Sequence, residues 1–581
     1  MPTPEPVYEE SKIIEQSDII PMINNILKRK GIDLQADVDG ICNGLAAVYI
    51  KYALQGKASK FAEMLEVIQR KGKDASIELG VFAASGRMYS LNPNSSEFDS
   101  DVSKFIQEVL LAFLPGEFDN SLGQADGLHA LTVPVKKTVK DDSDEMVREV
   151  EIPQQMQRLY KLGLVADINA WKQIFNDMRA PGTAWHVGSL NHAIAVFVNK
   201  DGNFEVYDPN YPKISVFKDG EPDPASTAGE QLELFLRTQY QLNNGTRMAL
   251  TIDVVAHPES KINFQFPDKE SIIRDVDKEG SNMKNAHLSS NGPITVYNQL
   301  VMAAKLNDTE MLKLWLERGA EGSQVALTFA AMESRLDAID VLLDQKYRNC
   351  LNDKNGDPTP AYLNGISEAL KAGRSAVLEK LLNNPDVSSK IVAFLQNGND
   401  GKKYQAQFLE SAASLKSPDC IRILVGYLEK NIPGLDMADM IRSNDAVQLA
   451  EKSGDAQCLQ LLKNLSSAEP AQAHNNDHES TFANIKLPPH PSNKQGFAEF
   501  ISDLASGWKE ALREIKETIN SRFRAAPDFK SRLSALKGES GNTKTATSAQ
   551  NFKNRLLGEK QQNKVEVEAE PAYTNSSNTP R

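Results

Sequence analysis

The chain has 581 residues, a quarter of them charged, and its 65 Lys and Arg against 78 Asp and Glu give a formal net charge of −13. That length allows two or three domains, and the acidic balance argues against nucleic acid as the main ligand, because a phosphate backbone would meet a like-charged body. The four cysteines, Cys42, Cys350, Cys420 and Cys458, are scattered with no CxxC pair, which argues against a disulfide framework and a thiolate zinc site and fits a reducing compartment.

The opening MPTPEPVYEESKII has neither the basic start nor the apolar core of a secretory signal, so no cleavable signal is expected. The longest apolar runs, 109–114 and 193–198, are far too short to span a membrane, and no transmembrane span is expected. Residues 11–30 carry Ile13, Ile14, Ile19, Ile20, Ile23, Ile26 and Leu27 at helical spacing and stop at Gly31. A second helix begins just before Cys42 and runs through GICNGLAAVYIKYALQGK, with Ile41, Leu45, Val48 and Tyr52 on one face. Further helices are predicted over 60–70 and 103–114. An accessory insertion is expected over about 96–165, with an exposed, charged hairpin at 132–152. After a helix at 167–178, residues 185–217 read as strands: HAIAVFV, a DG turn, NFEVYD, then PNYP. A helical half carrying a cysteine thus precedes a sheet half carrying a histidine, and this first domain is assigned to 1–290.

From about residue 298 a helical phrase recurs: alanine, eight residues, an aliphatic residue, two residues, then a large apolar one. It fits five times, at Ala303, Leu312 and Trp315; Ala330, Ile339 and Leu342; Ala369, Leu378 and Leu381; Ala412, Ile421 and Leu424; and Ala450, Leu459 and Leu462. An apolar residue precedes each alanine by three positions (Leu300, Leu327, Ile366, Leu409, Val447). The phrase resembles the paired helices of ankyrin repeats, in which small residues let helices approach and aliphatic ones stack on the next repeat. The alanine spacings of 27, 39, 43 and 38 depart from the family period of about 33 and the TPLH turn is missing, so an interrupted all-α ankyrin-like solenoid is expected over 291–465. A generic helical bundle is the competing reading. Residues 466–495 read as a polar, proline-containing linker, 496–523 as an amphipathic helix, and 524–581 as a largely disordered tail.

Cys42 follows Gly40 at a helix start, where unpaired N–H groups and the helix dipole favour a thiolate, and it is the only cysteine before residue 350. His192 opens the strand HAIAVFV, and Asp208 closes the next strand sixteen residues later. Antiparallel pairing through the turn at Asp201 and Gly202 brings the two together, so the aspartate can orient the imidazole. His186 is a substitute with a poorer spacing to an aspartate. His474 and His478 have a metal-like spacing but lie in the polar linker without a cysteine pair, and ADVDGICNG and DVDKEGSN fail as calcium loops because alanine occupies the position of the bidentate glutamate. No metal or cofactor is implied.

The pieces GICNGL, NHAIAV and YDPN, in that order, make residues 11–255 similar to the YopT-like family of papain-fold cysteine proteases of bacterial effectors. The resemblance implies an α+β papain-like domain and acyl transfer from a peptide bond, with Cys42 as nucleophile, His192 as acid and base, and Asp208 as orienter. Papain-like enzymes place a glutamine shortly before the cysteine, which here points to Gln35, or else to the backbone N–H of Cys42; Asp37 and Asp39 would repel an oxyanion.

A protease-like domain joined to ankyrin-like repeats and a polar tail also resembles the ankyrin effectors that Legionella delivers by type IV secretion. That likeness implies a C-terminal secretion signal in GEKQQNKVEVEAEPAYTNSSNTPR, residence in the cytosol or nucleus of the host cell, and a host protein partner held by the repeats. The alternatives are a binding scaffold with an inactive protease-like domain, and a cysteine-dependent deamidase or transacylase.

Overall fold

The structure is a computed structural model that describes residues 13–29, 36, 41–72, 82–84, 87–89, 100–118, 122–140, 147–189, 192–221, 223–239, 247–278, 298–414, 417–453 and 455–467. It is mixed α+β in its first part and helical after residue 298. The chain order begins α1 (Gln16–Arg29), α2 (Cys42–Leu54), α3 (Ala58–Gly72), β1 (Phe82–Ala84), β2 (Arg87–Tyr89), α4 (Ser100–Phe113), α5 (Pro115–Phe118) and α6 (Gly127–Ala130). There follow β3 (Thr132–Lys140), β4 (Val147–Gln155), β5 (Gln157–Ala166), α7 (Ile168–Asp177), β6 (Thr183–Gly188), β7 (Ala193–Val198), β8 (Phe204–Tyr207), β9 (Ser215–Phe217), α8 (Ala228–Gln239), β10 (Met248–Ala256) and α9 (Lys269–Lys278).

Six strands form one antiparallel sheet in the order β5, β10, β6, β7, β8, β9. Helix α2 is apolar almost all round, which marks a helix buried on every side. Gly44 to Lys51 and Ala53 are all buried. It lies on the sheet face formed by Ala184, Ala193, Ala195 and Tyr207, inside a core completed by α1, α3 and α4. The small side chains of GLAA permit this closeness: a Cβ on Gly44 would lie 2.3 Å from the Val109 carbonyl oxygen of α4. Lys51, buried in α2, is paired with Glu108 of α4, and burial pulls its pKa down. Helices α7 and α8 cover the opposite face around Trp171, Phe175 and Trp185.

Only part of the expected 96–165 insertion stands apart. Strands β3 and β4 form their own two-stranded hairpin, whereas α4 belongs to the core around α2 and β5 is the edge of the main sheet.

The helical part comprises α10 (Gln299–Lys305), α11 (Thr309–Glu317), α12 (Ser323–Met332), α13 (Leu336–Leu343), α14 (Thr359–Lys371), α15 (Ser375–Asn383), α16 (Pro385–Leu395), α17 (Gly398–Ser414), α18 (Pro418–Asn431), α19 (Met437–Ser443), α20 (Ala446–Ser453) and α21 (Ala456–Ser466). Each of the five alanine phrases is a helix pair: α10 with α11, α12 with α13, α14 with α15, α17 with α18, and α20 with α21. The uneven spacings have a plain cause, since α16, α19 and a 3₁₀ turn at Arg348–Leu351 lie between pairs.

The turns inside the pairs share a chemistry. Asn307, Ser334 and Gly373 take positive φ (56°, 60° and 67°), each four residues after its alanine, and the next N–H returns to that alanine's carbonyl at 2.8 Å in all three. The residue donating that N–H is the N-cap of the second helix. Asp308, Ser417 and Asp455 cap it with their side chains; Arg335 and Arg374 do not. Arg335 instead donates to the Lys305 carbonyl (2.9 Å) and reaches Asp126 (2.6 Å), and Arg374 donates to the carbonyls of Met332 (3.0 Å) and Leu122 (2.6 Å). Glu333 accepts from the Gln124 N–H at 2.9 Å. Two successive repeat turns thereby grip the 122–126 segment of the first domain.

The assigned boundary near residue 290 lies outside the described residues, but the regions on either side share one core. Gly163 of β5 lies so close to α10 that a Cβ there would be 2.3 Å from the Met302 carbonyl oxygen. The Gln299 side chain takes both the N–H (2.8 Å) and the C=O (2.6 Å) of Val165, occupying backbone groups that an edge strand otherwise leaves open. The N-cap Asp308 is buried and pairs with Lys269 at 2.6 Å; burial raises its carboxyl pKa, and Lys269 opposes that rise. The 496–523 helix and the tail beyond it lie outside the described residues.

Candidate active site

Helix α2 begins at Cys42, as its sequence predicts. Its N-cap, Ile41, has no side-chain acceptor to offer, so the first-turn N–H groups around Cys42 carry no side-chain cap. Cys42 is partly exposed, Cys350 is exposed, Cys420 and Cys458 are buried, and all four thiols are free.

The β6–β7 connection is tight: the His192 carbonyl accepts from the Ser189 N–H at 2.8 Å. This fixes His192 immediately ahead of β7. Strands β7 and β8 pair with Ala195 opposite Tyr207, through a turn in which Gly202 takes φ of 78°. The register leaves Asp208 at the same end of the sheet as His192, in a turn closed by the Tyr211 N–H on the Asp208 carbonyl (2.9 Å). His192 Nε2 lies 2.8 Å from Asp208 Oδ1. The Cys42 side chain also hydrogen-bonds the imidazole.

Asp208 is 1% exposed, and its Oδ1 also accepts the Asn210 N–H at 2.8 Å. Beneath it, Tyr207 stacks on Tyr49 of α2 with centroids 4.8 Å apart, and Phe61 of α3 meets Tyr207 edge-on at 5.0 Å. These rings lock the helix of Cys42 to the strand carrying Asp208.

Burial works against the His192 imidazolium. The hydrogen bonds to Asp208 and Cys42 and their negative charges outweigh it, and the pKa rises to about 9. The buried carboxylate thus favours the protonated ring, the form in which an imidazole can stabilise a neighbouring anion.

His186 occupies a different environment. On β6 it sits between Ala195 and Asp253, hydrogen-bonds the Asn43 backbone, and is pushed by burial down to about 4. Its neighbour Asp253 is held by His129 (2.5 Å) and Arg158 (2.9 Å). Of the two histidines, His192 is the one brought to Cys42.

Two further residues border the site. Gln16, which opens α1, accepts the Ile41 N–H through Oε1 (2.8 Å) and donates through Nε2 to Asn210 Oδ1 (2.5 Å). Asn43 donates to the carbonyls of Ala112 (2.9 Å) and Gln124 (3.3 Å). Asn210 could be read from the YDPN motif, whereas Gln16 stands twenty-six residues before the cysteine with no local signal. Gln35, Asp37 and Asp39 lie outside the described residues, as do His474 and His478. Among the described residues no group of three or more His, Cys, Asp and Glu could hold a metal ion, and no helix is long and apolar enough to cross a membrane.

No protein-family model, curated protein or solved structure matches the chain.

Proposed function

We propose that this chain is a papain-fold cysteine protease of the YopT-like type, and that its helix pairs, read as an interrupted ankyrin-like array, present a host protein to it. The observation that carries the reading is the His192 ring held between the buried Asp208 and Cys42 at the uncapped start of a buried helix. In this reading Cys42 Sγ attacks a peptide carbonyl carbon, and the uncapped N–H groups at the start of α2, that of Cys42 included, stabilise the oxyanion. Gln35 remains the candidate for a side-chain donor there. The C–N bond then breaks as His192 gives its proton to the leaving nitrogen. In the second half, water adds to the thioester carbon while His192 takes the water's proton. The C–S bond breaks, leaving the acid product and restoring the thiolate–imidazolium pair. Asp208 keeps the imidazole in the orientation that serves both transfers. In this reading the chemistry acts in a host cell after type IV secretion, which the likeness of the domain order to Legionella ankyrin effectors supports.

Two measurements test the proposal. Iodoacetamide at about pH 6, well below the free-thiol pKa, is expected to modify Cys42 ahead of the other thiols; burial raises Cys420 to about 11 and pushes Cys350 and Cys458 upward as well. Cys42→Ala should retain partner capture while abolishing processing, read by mass spectrometry of the captured protein after incubation with either form. A partner bound by both forms and altered by neither would make the scaffold the better reading. A Cys42-dependent change of one glutamine to glutamate, with the backbone intact, would shift it to deamidation.

A further inference from the structure

We propose that Gln16 is a positioning residue of the Cys42 site, joining the start of the nucleophile's helix to the turn that carries Asp208. The inference rests on the catalytic reading of Cys42, His192 and Asp208 and adds to it a fourth side chain from a separate element.

Followed outward from Cys42, the contacts close on themselves. The backbone N–H of Ile41, the preceding residue, donates to Gln16 Oε1 at 2.8 Å, and Gln16 Nε2 donates to Asn210 Oδ1 at 2.5 Å. The Asn210 N–H donates to Asp208 Oδ1 at 2.8 Å, the same oxygen that holds His192 Nε2 at 2.8 Å. His192 returns to Cys42. The ring thus runs through the starts of α1, α2 and β7 and the turn after β8, elements far apart in sequence. Gln16 and Asn210 are the side chains of the ring that lie outside the catalytic three, and Gln16 is the one that holds a partner at each end of its carboxamide.

The main chain on either side strengthens the tie. The Gln16 N–H donates to the Pro209 carbonyl at 2.8 Å, and the Ile13 N–H to the Pro212 carbonyl at 2.9 Å, so the chain ahead of α1 is stitched along the DPNYP turn.

The residue type is specific to the task. A helix-opening glutamine ordinarily faces water, yet Gln16 is 7% exposed and Ile41 is fully buried. The position needs an acceptor toward Ile41 and a donor toward Asn210 on one planar group, which a carboxamide supplies. A glutamate keeps the acceptor and loses the donor. A methionine of similar length loses both and leaves the Ile41 N–H buried without a partner. Satisfying that N–H would by itself be a structural role. The second bond, from Nε2 to Asn210, ties the nucleophile's helix to the orienter's turn, and that bond makes a distinct prediction.

The experiment compares wild type, Gln16→Met, Gln16→Glu, Asn210→Ala and the Gln16→Met/Asn210→Ala double variant, all in the full chain. Two quantities are read: the His192 titration midpoint by NMR, and the Cys42 alkylation rate at about pH 6, well below the free-thiol pKa. The wild-type midpoint is expected near 9, and Gln16→Met and Asn210→Ala should both move it toward the ordinary 6.5. Both should slow Cys42 alkylation by about tenfold or more. Gln16→Glu should fall between, and the double variant should be little worse than either single change, because both cut the same link. Unchanged midpoints and rates in folded variants would overturn the proposal and reduce Gln16 to a backbone partner. If Gln16→Met fails to fold, the exposed Asn210 decides the matter, since its truncation leaves the core untouched. A wild-type Cys42 no more reactive than Cys350, Cys420 or Cys458 would sink the protease reading instead, while the His192 midpoints would still judge Gln16.

Discussion

Gly44 sits two residues after Cys42, on the side of α2 that meets α4. A methyl group there would lie 2.3 Å from the Val109 oxygen, 3.0 Å from the Phe113 Cβ and 3.2 Å from the Val109 carbonyl carbon. Ordinary contact between such atoms begins near ~3.5 Å, so Gly44→Ala must drive the two helices about 1 Å apart. The obstacle is backbone, and α2 cannot yield elsewhere, because Leu45 through Ile50 are buried against the sheet and α3, apart from the Tyr52 side. Overpacking of this kind costs about 1–3 kcal/mol, against which alanine's better helix propensity returns at most about 1 kcal/mol. If Cys42 acts as proposed, the larger effect falls on the site: a displacement of about 1 Å at its sulfur is worth roughly a hundredfold in rate. Urea denaturation and Cys42 alkylation at about pH 6, well below the free-thiol pKa, measure the two effects. Gly426→Ala in α18 is the control, because nothing lies within 4 Å of its added methyl and helix propensity alone should act. A Gly44→Ala protein with wild-type stability and an unchanged Cys42 rate would refute the claim that α4 fixes the height of Cys42.

Two further predictions concern charge and the grip of the repeats. Because the folded His192 pKa is raised, its contribution to stability is present in full below about 6.5 and is lost as pH rises through about 9. Asp208→Ala should flatten that loss, so urea midpoints of wild type and variant should converge between pH values below and above this window; parallel curves would count against the pairing. Arg335→Ser restores the kind of side-chain cap seen at Ser417, adding about 1 kcal/mol to α13 locally, while releasing Asp126. Hydrogen exchange should then quicken at 122–126, and unchanged exchange there would mean that the first domain holds this segment unaided.

The features legible in the sequence are those that local chemistry determines. The start of α2 at Cys42, the turn at Gly202 and the pairing of His192 with Asp208 follow from helix-start and hairpin rules, and they appear where those rules put them. The alanine phrase likewise found all five helix pairs, because each alanine's spacing to its aliphatic partners lies within one short helical hairpin. The positive-φ residue after Ala303, Ala330 and Ala369 carries a second signal that the phrase does not use. Long-range contacts left no such trace. Nothing in LGLVA marks Gly163 as the floor under α10, and nothing near Gln299 announces that its amide will occupy Val165. The 96–165 insertion was overdrawn for the same reason: a charged hairpin is visible locally, whereas the strand after it reveals its place in the main sheet only through its pairing with β10. Gln16 is the sharpest case, being a polar residue whose meaning depends on two partners 25 and 194 positions away.

The arginines at the second and third repeat turns bear on how the two halves communicate. Leu122, Gln124 and Asp126 are held by Arg374, Glu333 and Arg335, while Gln124 also receives the amide of Asn43, the residue next to Cys42. Those turns are accordingly already engaged by the chain itself. A ligand seeking the same guanidinium groups competes with an internal rival at fixed, high effective concentration. By reciprocity, whatever factor separates its affinity for the gripped and released forms also shifts the balance between those forms. Among the described residues no hydrogen bond or ion pair joins the pairs from α17 onward to the first domain, so binding there would leave the grip on 122–126 in place, whereas binding at Arg335 or Arg374 would compete with it.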